Sequence, residues 1–302
     1  LPSALIAGHG AESGKNRNGA SATISSDRKN FRMPIVCRRL LFCTALLVAS
    51  LPSWAGTPPE GRWEPIAEIW DEFDGPRLDS SKWDNNNPYY KGKKPGLFMP
   101  NNIQQDNGEL SIWARAENIP GAPLGYHSFT TASMTSSQMV QYGYFEVRAK
   151  VMRSSVINAF WLYRWTETGT YEIDIFEIAG GARGQAQTIH TNTHVYQGPP
   201  ELESDRNRIS DSAEFNSPVP LADDYHTYGF EWNEKELKWY FDGQLIRTKP
   251  NNFWHLPMNI KLSAETFPGW VGLPSKGELP AAFRVEYFRA WRKAADTPAR
   301  RR

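Results

Sequence analysis

Cysteine is nearly absent. The 302 residues hold two, Cys37 and Cys43, both near the amino end, so neither a disulfide framework nor a cysteine metal cluster organises the rest of the chain. Charge of one sign is not in excess either: 34 Lys and Arg against 33 Asp and Glu leave a net charge of +1. The basic surplus that a nucleic-acid partner requires is therefore missing. The apolar run from Leu40 to Leu51 is too short for the roughly 20 residues of a membrane-spanning helix. There is no internal repeat, no Gly-rich phosphate loop, no Ser-His-Asp arrangement in a recognisable context and no long amphipathic helix, which sets aside solenoids, phosphate-loop enzymes and triad hydrolases. What remains is a chain of globular composition, 40% hydrophobic and 13% aromatic, long enough for one large β domain or two small ones.

The two cysteines lie in a segment of their own. Residues 1–32 are polar and Gly/Ser-rich, without periodicity. After Met33 come Cys37-Arg38-Arg39, the apolar run, and Ser53-Trp54-Ala55. Basic, apolar, then small is the order of a secretory signal. The expectation is a signal peptide over about 33–55 with Met33 as the true start, residues before it an upstream extension, and cleavage after Ala55. The protein is then secreted or periplasmic, with no stable membrane insertion. Seven of the basic and two of the acidic residues precede position 56, which leaves 27 against 31, a net charge of −4, and no cysteine. The folded domain is expected over 56–292, with a flexible tail at 293–302.

The rest reads as strands and turns. Phe145, Val147, Ala149 and Val151 alternate with Tyr144, Glu146, Arg148 and Lys150, a period of two that puts the first set in a core and the second on an outer face. Asp106-Asn107-Gly108 and Asp242-Gly243 are turn signals. Strands are predicted over Glu109 to Ala114, His226 to Trp232, Leu237 to Phe241, Gln244 to Thr248, Met258 to Glu265 and Phe283 to Trp291, while Gly198 to Ala222 reads as a long loop. Many strands and few helices argue an all-β, two-sheet sandwich.

One strand carries too many acids. Tyr171-Glu172-Ile173-Asp174-Ile175-Phe176-Glu177-Ile178 threads three carboxylates through an apolar, β-prone run, although acids are depleted in strands and rarely buried unpaired. Alternation puts Glu172 and Asp174 on one face, with Ile173 and Ile175 on the other. Glu177 is out of phase by one residue, and a β-bulge at Ile175–Phe176 restores it to the row. Two glutamates leaning together can then approach the roughly 5–5.5 Å used by retaining glycosidases. Three crowded carboxylates cannot all ionise cheaply, so at least one proton is held near neutral pH. A solvated strand edge and a calcium site remain alternatives on pattern alone.

Here the sequence resembles a known family. Glu-Ile-Asp-Ile-Phe-Glu is similar to the active-site strand of family-16 glycoside hydrolases, in the bulged form of its red-algal galactanases and laminarinases. "Tyr-Gly-Tyr-Phe-Glu-Val-Arg-Ala-Lys", "His-Thr-Tyr-Gly-Phe-Glu-Trp … Trp-Tyr-Phe-Asp-Gly" and the opening "Asp-Glu-Phe-Asp-Gly … Lys-Trp" are further matches in the same order. The resemblance implies a concanavalin A-like jelly roll with an open cleft on its concave sheet. It also implies Glu172 as nucleophile, Glu177 as acid/base and Asp174 as the residue that orients them. Trp161, in "Phe-Trp-Leu", is expected to stack on a sugar ring.

Other candidate sugar contacts are Tyr90, on a loop with Lys91, Lys93 and Lys94, and Trp270 as a wall. His194, on the strand Thr188 to Tyr196, is a candidate contact for the sugar or Glu177. Arg164 and Arg183 are candidates for a sulfate. The expected partner is a polysaccharide, the expected state a monomer, and no cofactor or catalytic metal is required. A structural calcium near Asp71 to Asp74 and the closing strand is possible, but Glu286 stands there where Asp is expected. The loop at Tyr90 and the segment "Leu-Ser-Ala-Glu-Thr-Phe-Pro-Gly-Trp" look like agarases and porphyranases. Carrageenan, then β-1,3-glucan, are the next substrates, and a non-catalytic sugar-binding sandwich is the reading from another class.

Overall fold

In the computed structural model, the described residues are 56, 58–87, 90–198 and 207–295. The expected signal segment and most of the expected tail lie outside them. In chain order the strands are β1 (Trp63–Pro65), β2 (Trp83–Asp84), β3 (Gly96–Phe98), β4 (Ile103–Asp106), β5 (Glu109–Ala114), β6 (Phe129–Val140), β7 (Gly143–Lys150), β8 (Val156–Thr166) and β9 (Gly169–Ile178). There follow β10 (Thr188–Gln197), β11 (Arg208–Ser210), β12 (Ala213–Asn216), β13 (His226–Trp232), β14 (Glu236–Phe241), β15 (Gln244–Pro250), β16 (Met258–Thr266) and β17 (Ala281–Lys293). The one α-helical turn among the described residues, α1, is Pro268–Val271. None of the described helices is long and apolar enough to cross a membrane.

Two sheets form. A back sheet runs β15-β14-β13-β7-β17-β5-β4, with β1 added to β17. A cleft sheet runs β11-β10-β9-β8-β16-β6-β2, with β12 on β10 and β3 on β6. Pairing is antiparallel except between β3 and β6. The all-β, two-sheet jelly-roll sandwich expected from the sequence is the fold.

Alternation explains the core between the sheets. Phe145, Val147 and Ala149 of β7 are fully buried, and they meet Ile173, Phe176 and Ile178 of β9 in one continuous cluster. The Phe176 ring lies 4.3 Å from Tyr228 and 5.9 Å from Phe283, centroid to centroid, at contact distance for offset or edge-on aromatic pairs. Two indoles tie the layers together: Trp239 Nε1 donates to the Asp174 carbonyl (3.0 Å) and Trp254 Nε1 to the Glu172 carbonyl (3.0 Å). The acid-bearing strand is thus held from behind.

Two sequence expectations change, and one stretch with no assignment becomes a strand. Residues 198–222 hold two short strands, β11 and β12, which cover the edge of β10; three and four residues are too few to set an alternation apart from a loop. The Ser/Thr-rich stretch at 130–138 lies inside the twelve-residue strand β6. Lys293 is not tail but the last residue of β17, and Ala294 N donates to Arg62 O (2.9 Å).

Candidate active site

The bulge sits where the phase of the sequence required it. On β8, Phe160 pairs with Phe176 and Trp161 with Asp174, a shift of register that gives Ile175 and Phe176 the space of one residue. The partner β10 shows the same shift, with His190 opposite Glu177 and Asn192 opposite Asp174. Both Ile175 and Phe176 are buried in the core, so Glu172, Asp174 and Glu177 all face a groove of about 1290 Å³ on the cleft sheet.

Register places the other side chains in rows across that groove. Asn259, Tyr163, Glu172 and His194 form one row. Lys261, Trp161, Asp174 and Asn192 form the next, and Ser263, Ala159, Glu177 and His190 the third. Trp161 lines the groove, with its Nε1 donating to Ser263 Oγ (3.1 Å). The Lys261 ammonium donates to Thr135 Oγ1 (3.0 Å) and lies 5.1 Å from the Trp161 ring centroid and 5.8 Å from that of Tyr163. Glu265 lines the groove as a fourth acid, and the Tyr90 hydroxyl donates to its Oε2 (2.6 Å). Lys93 reaches in from the Tyr90 loop, its Nζ 3.2 Å above the Phe267 ring. That loop is fixed to β16, since Thr266 Oγ1 donates to the Lys93 carbonyl (2.8 Å) and accepts from Gly96 N (3.0 Å).

Electrostatics separates the acids. Burial, reinforced by Glu265 and opposed by Lys93, pushes the Glu177 carboxyl up to about 7. Asp174, 4% exposed, is driven well above the usual carboxylate range by burial and then by Glu172 and Glu177. Its Oδ2 has no hydrogen-bond partner, as suits a carboxyl that keeps a proton to share. Burial also raises Glu265, which its bond from Tyr90 partly offsets. His194 is pulled down to about 4, by burial and then by Arg208, so its ring is neutral at neutral pH. A proton held at Glu177 in the same row as a second glutamate is an arrangement that suits acetal cleavage by two carboxyl groups.

The predicted binding residues divide. Trp161, Arg164 and Tyr90 line the groove. His194 does not approach Glu177: its Nε2 is 3.6 Å from Asp174 and 3.8 Å from Glu172, and its Nδ1 is 2.6 Å from Ser210 Oγ. Its register partner is Glu172, because the bulge moves Glu177 back to His190. Arg183 is exposed on the loop after β9 and does not line the groove. Trp270, on α1, packs against His190 (4.8 Å) and Phe267 (5.5 Å) and stands outside the groove lining. Lys261, Glu265, Tyr163 and Trp165 were not singled out from the sequence, yet all four line the groove. The signal for two of them was there: Asn259, Lys261, Ser263 and Glu265 alternate with apolar residues along β16, as the acids do along β9.

Two sets of acids bear on metals. Glu172, Asp174 and His194 each offer a ligand atom within 4.8 Å of the others, and two of the three belong to the acid row itself. Three carboxylates of the expected calcium site, Asp71, Glu72 and Glu286, have protein donors. Asp71 accepts from Phe73 N (3.0 Å) and Trp83 Nε1 (2.9 Å), Glu72 is gripped by Arg289 (2.8 and 2.9 Å), and Glu286 pairs with Arg148.

Comparison with known proteins gives the family. The chain is 28% identical over 239 residues to beta-porphyranase B of Zobellia galactanivorans, covering 72% of this chain and 79% of that protein. It is 26% identical over 281 residues to glucan endo-1,3-beta-glucosidase A1 of Niallia circulans, covering 79% of this chain and 39% of the other. The crystal structure of porphyranase B from Zobellia galactanivorans superposes with a TM-score of 0.67 at 24% identity, over 80% of this chain and 97% of that one. Residues 63–293 match the family profile "Beta-porphyranase A-D, GH16 domain", and the chain belongs to glycoside hydrolase family 16.

Proposed function

We propose that this protein is an exported, retaining endo-hydrolase of a red-algal galactan, porphyran ahead of agarose. Glu177 protonates the glycosidic oxygen as Glu172 attacks the anomeric carbon. The aglycone leaves, and Glu177, now a carboxylate, takes a proton from the water that releases the sugar from Glu172. Asp174 donates its shared proton toward the nucleophile row and fixes its orientation, and His194 closes that row as a neutral hydrogen-bonding group. The steps draw on these side chains alone.

The observation that carries this reading is the placing of a proton-holding Glu177 and Glu172 on one wall of an open groove. The cations support this choice of substrate. Lys261 is buried in the groove floor between two aromatic rings, and Lys93 and Arg164 also line the groove. A sulfate ester offers these groups an anionic partner, which a neutral polymer does not. The likeness to a beta-porphyranase supports the same choice. The likeness to a glucan endo-1,3-beta-glucosidase keeps β-1,3-glucan as the second reading.

Incubation with porphyran, agarose, κ-carrageenan and laminarin, followed by reducing-end assay and product sizing, tests both readings. The expected result is internal cutting of porphyran, with first products of retained anomeric configuration by NMR. Shortening of laminarin alone would replace the first reading by the second. Glu172→Gln is expected to lower kcat by at least about a thousandfold while leaving Tm within a few degrees. Substantial residual turnover would remove Glu172 as nucleophile.

A further inference from the structure

On the outer face of the back sheet one carboxylate is buried away from the groove. Glu146 of β7 is 2% exposed. Tyr144 donates to its Oε2 and Tyr287 to its Oε1, both at 2.8 Å, and the backbone N–H of Gly56 donates a third hydrogen bond. No described Lys, Arg or His nitrogen lies within 4 Å of it. Arg289 acts on it through space, but its guanidinium is committed to Glu72 through Nε (2.8 Å) and Nη2 (2.9 Å) and lies 3.8 Å above the Tyr287 ring. A buried carboxylate without a cation is costly, and burial is the largest influence raising this one.

The residue donating the third bond is the one that the leader pattern leaves as the new amino end. Ser53-Trp54-Ala55 precedes Gly56, and the expected cut is after Ala55. The place is shaped for glycine: φ is +86°, and an added Cβ would run into the Arg289 guanidinium. Before processing, the atom facing Glu146 is an amide nitrogen. Afterwards it is an ammonium.

We propose that hydrolysis of the Ala55–Gly56 peptide bond by a leader peptidase leaves the α-ammonium of Gly56 seated on Glu146, a buried ion pair that the unprocessed chain does not have. Water adds across the amide, Ala55 leaves as a carboxylate, and the freed amine takes up a proton. Export and the stability of the folded domain are thereby linked: the cut that releases the leader also supplies Glu146 with a cation at contact distance. The inference rests on the leader reading and not on the proposed hydrolase activity, and the two are tested apart.

The experiment uses the full chain, exported from a bacterial host. Terminal sequencing of the product is expected to begin at Gly56, and a product beginning elsewhere overturns the proposal. A second full chain with Ser inserted between Ala55 and Gly56 yields a product one residue longer, whose ammonium is displaced. At pH 7 its Tm is expected to be about 2–4 °C lower, the shift of roughly 1 kcal/mol in a domain of this size. In a Glu146→Gln background the insertion is expected to have no effect. An insertion that is neutral in the parent, or equally costly beside Gln, overturns the ion pair. If the Gln variant does not fold, acylation decides: the α-amine of the parent product should react at least about tenfold more slowly than that of the inserted form. Equal rates overturn the proposal.

Discussion

At the scale of the residue, the proposed mechanism turns on Glu177. Its carboxyl is held at about 7 by burial and by Glu265 and is restrained by Lys93, and a general acid works only while protonated. The plot of kcat/KM against pH is therefore expected to fall through about pH 7 on its alkaline side. Glu265→Gln removes a charge that raises Glu177 and moves that limb to lower pH. Lys93→Met removes one that lowers it and moves the limb to higher pH. A limb that stays in place in both variants would assign the acid elsewhere. Stability carries the same signature with its own sign. A carboxyl with a raised folded pKa binds its proton more tightly in the native state, so stability is lost as pH climbs from about 4.5 to about 7. Glu177→Gln cannot ionise, so its Tm is expected to exceed that of the parent at pH 8 and to match it near pH 4, measured by calorimetry.

At the scale of the element, the bulge in β9 serves core and groove together. Ile175 and Phe176 both enter the core, and Glu177 returns to the row of Glu172 and Asp174. Phe176 carries much of this, since it meets Tyr228, Phe283 and Phe160. Phe176→Ala is expected to cost about 3–5 kcal/mol in denaturant unfolding, the usual range for a buried aromatic, and to lower activity further by freeing the bulge. This feature was legible in advance because it is local: an alternation of period two, broken once, has one economical repair. The strands β11 and β12 were not legible, because an alternation of three or four residues, such as Ala213-Glu214-Phe215-Asn216, is too short to stand out from a loop. β6 was obscured in the same way, its many Ser and Thr residues facing either the groove or a neighbouring strand.

For the whole molecule, the groove brings the acid row together with Lys261, Lys93 and Arg164, and on the proposed reading the acids cut and the cations select. If Lys261 and its neighbours hold a sulfate, screening by salt weakens the contact. KM for porphyran is then expected to rise between low and high ionic strength, while KM for agarose stays level. Lys261→Met is expected to lower kcat/KM on porphyran by roughly ten- to a hundredfold, the worth of a hydrogen bond to a charged group, with little change on a neutral galactan. Equal losses on both polymers would make Lys261 a structural residue.

The sequence by itself determined what depends on near neighbours: the alternating strands, the turns at Asn107-Gly108 and Asp242-Gly243, and the row of three acids with its bulge. The tertiary structure alone decided which side chains that row faces. Glu265 and Lys261 join it because β16 lies beside β8, and Lys93 because its loop is tied to Thr266. Arg183 and Trp270, close to the acids in sequence or in motif, fall outside the groove lining. Backbone periodicity is written in consecutive residues, whereas the order of strands in a sheet is set by burial and hydrogen bonding between segments a hundred residues apart, which no single stretch encodes.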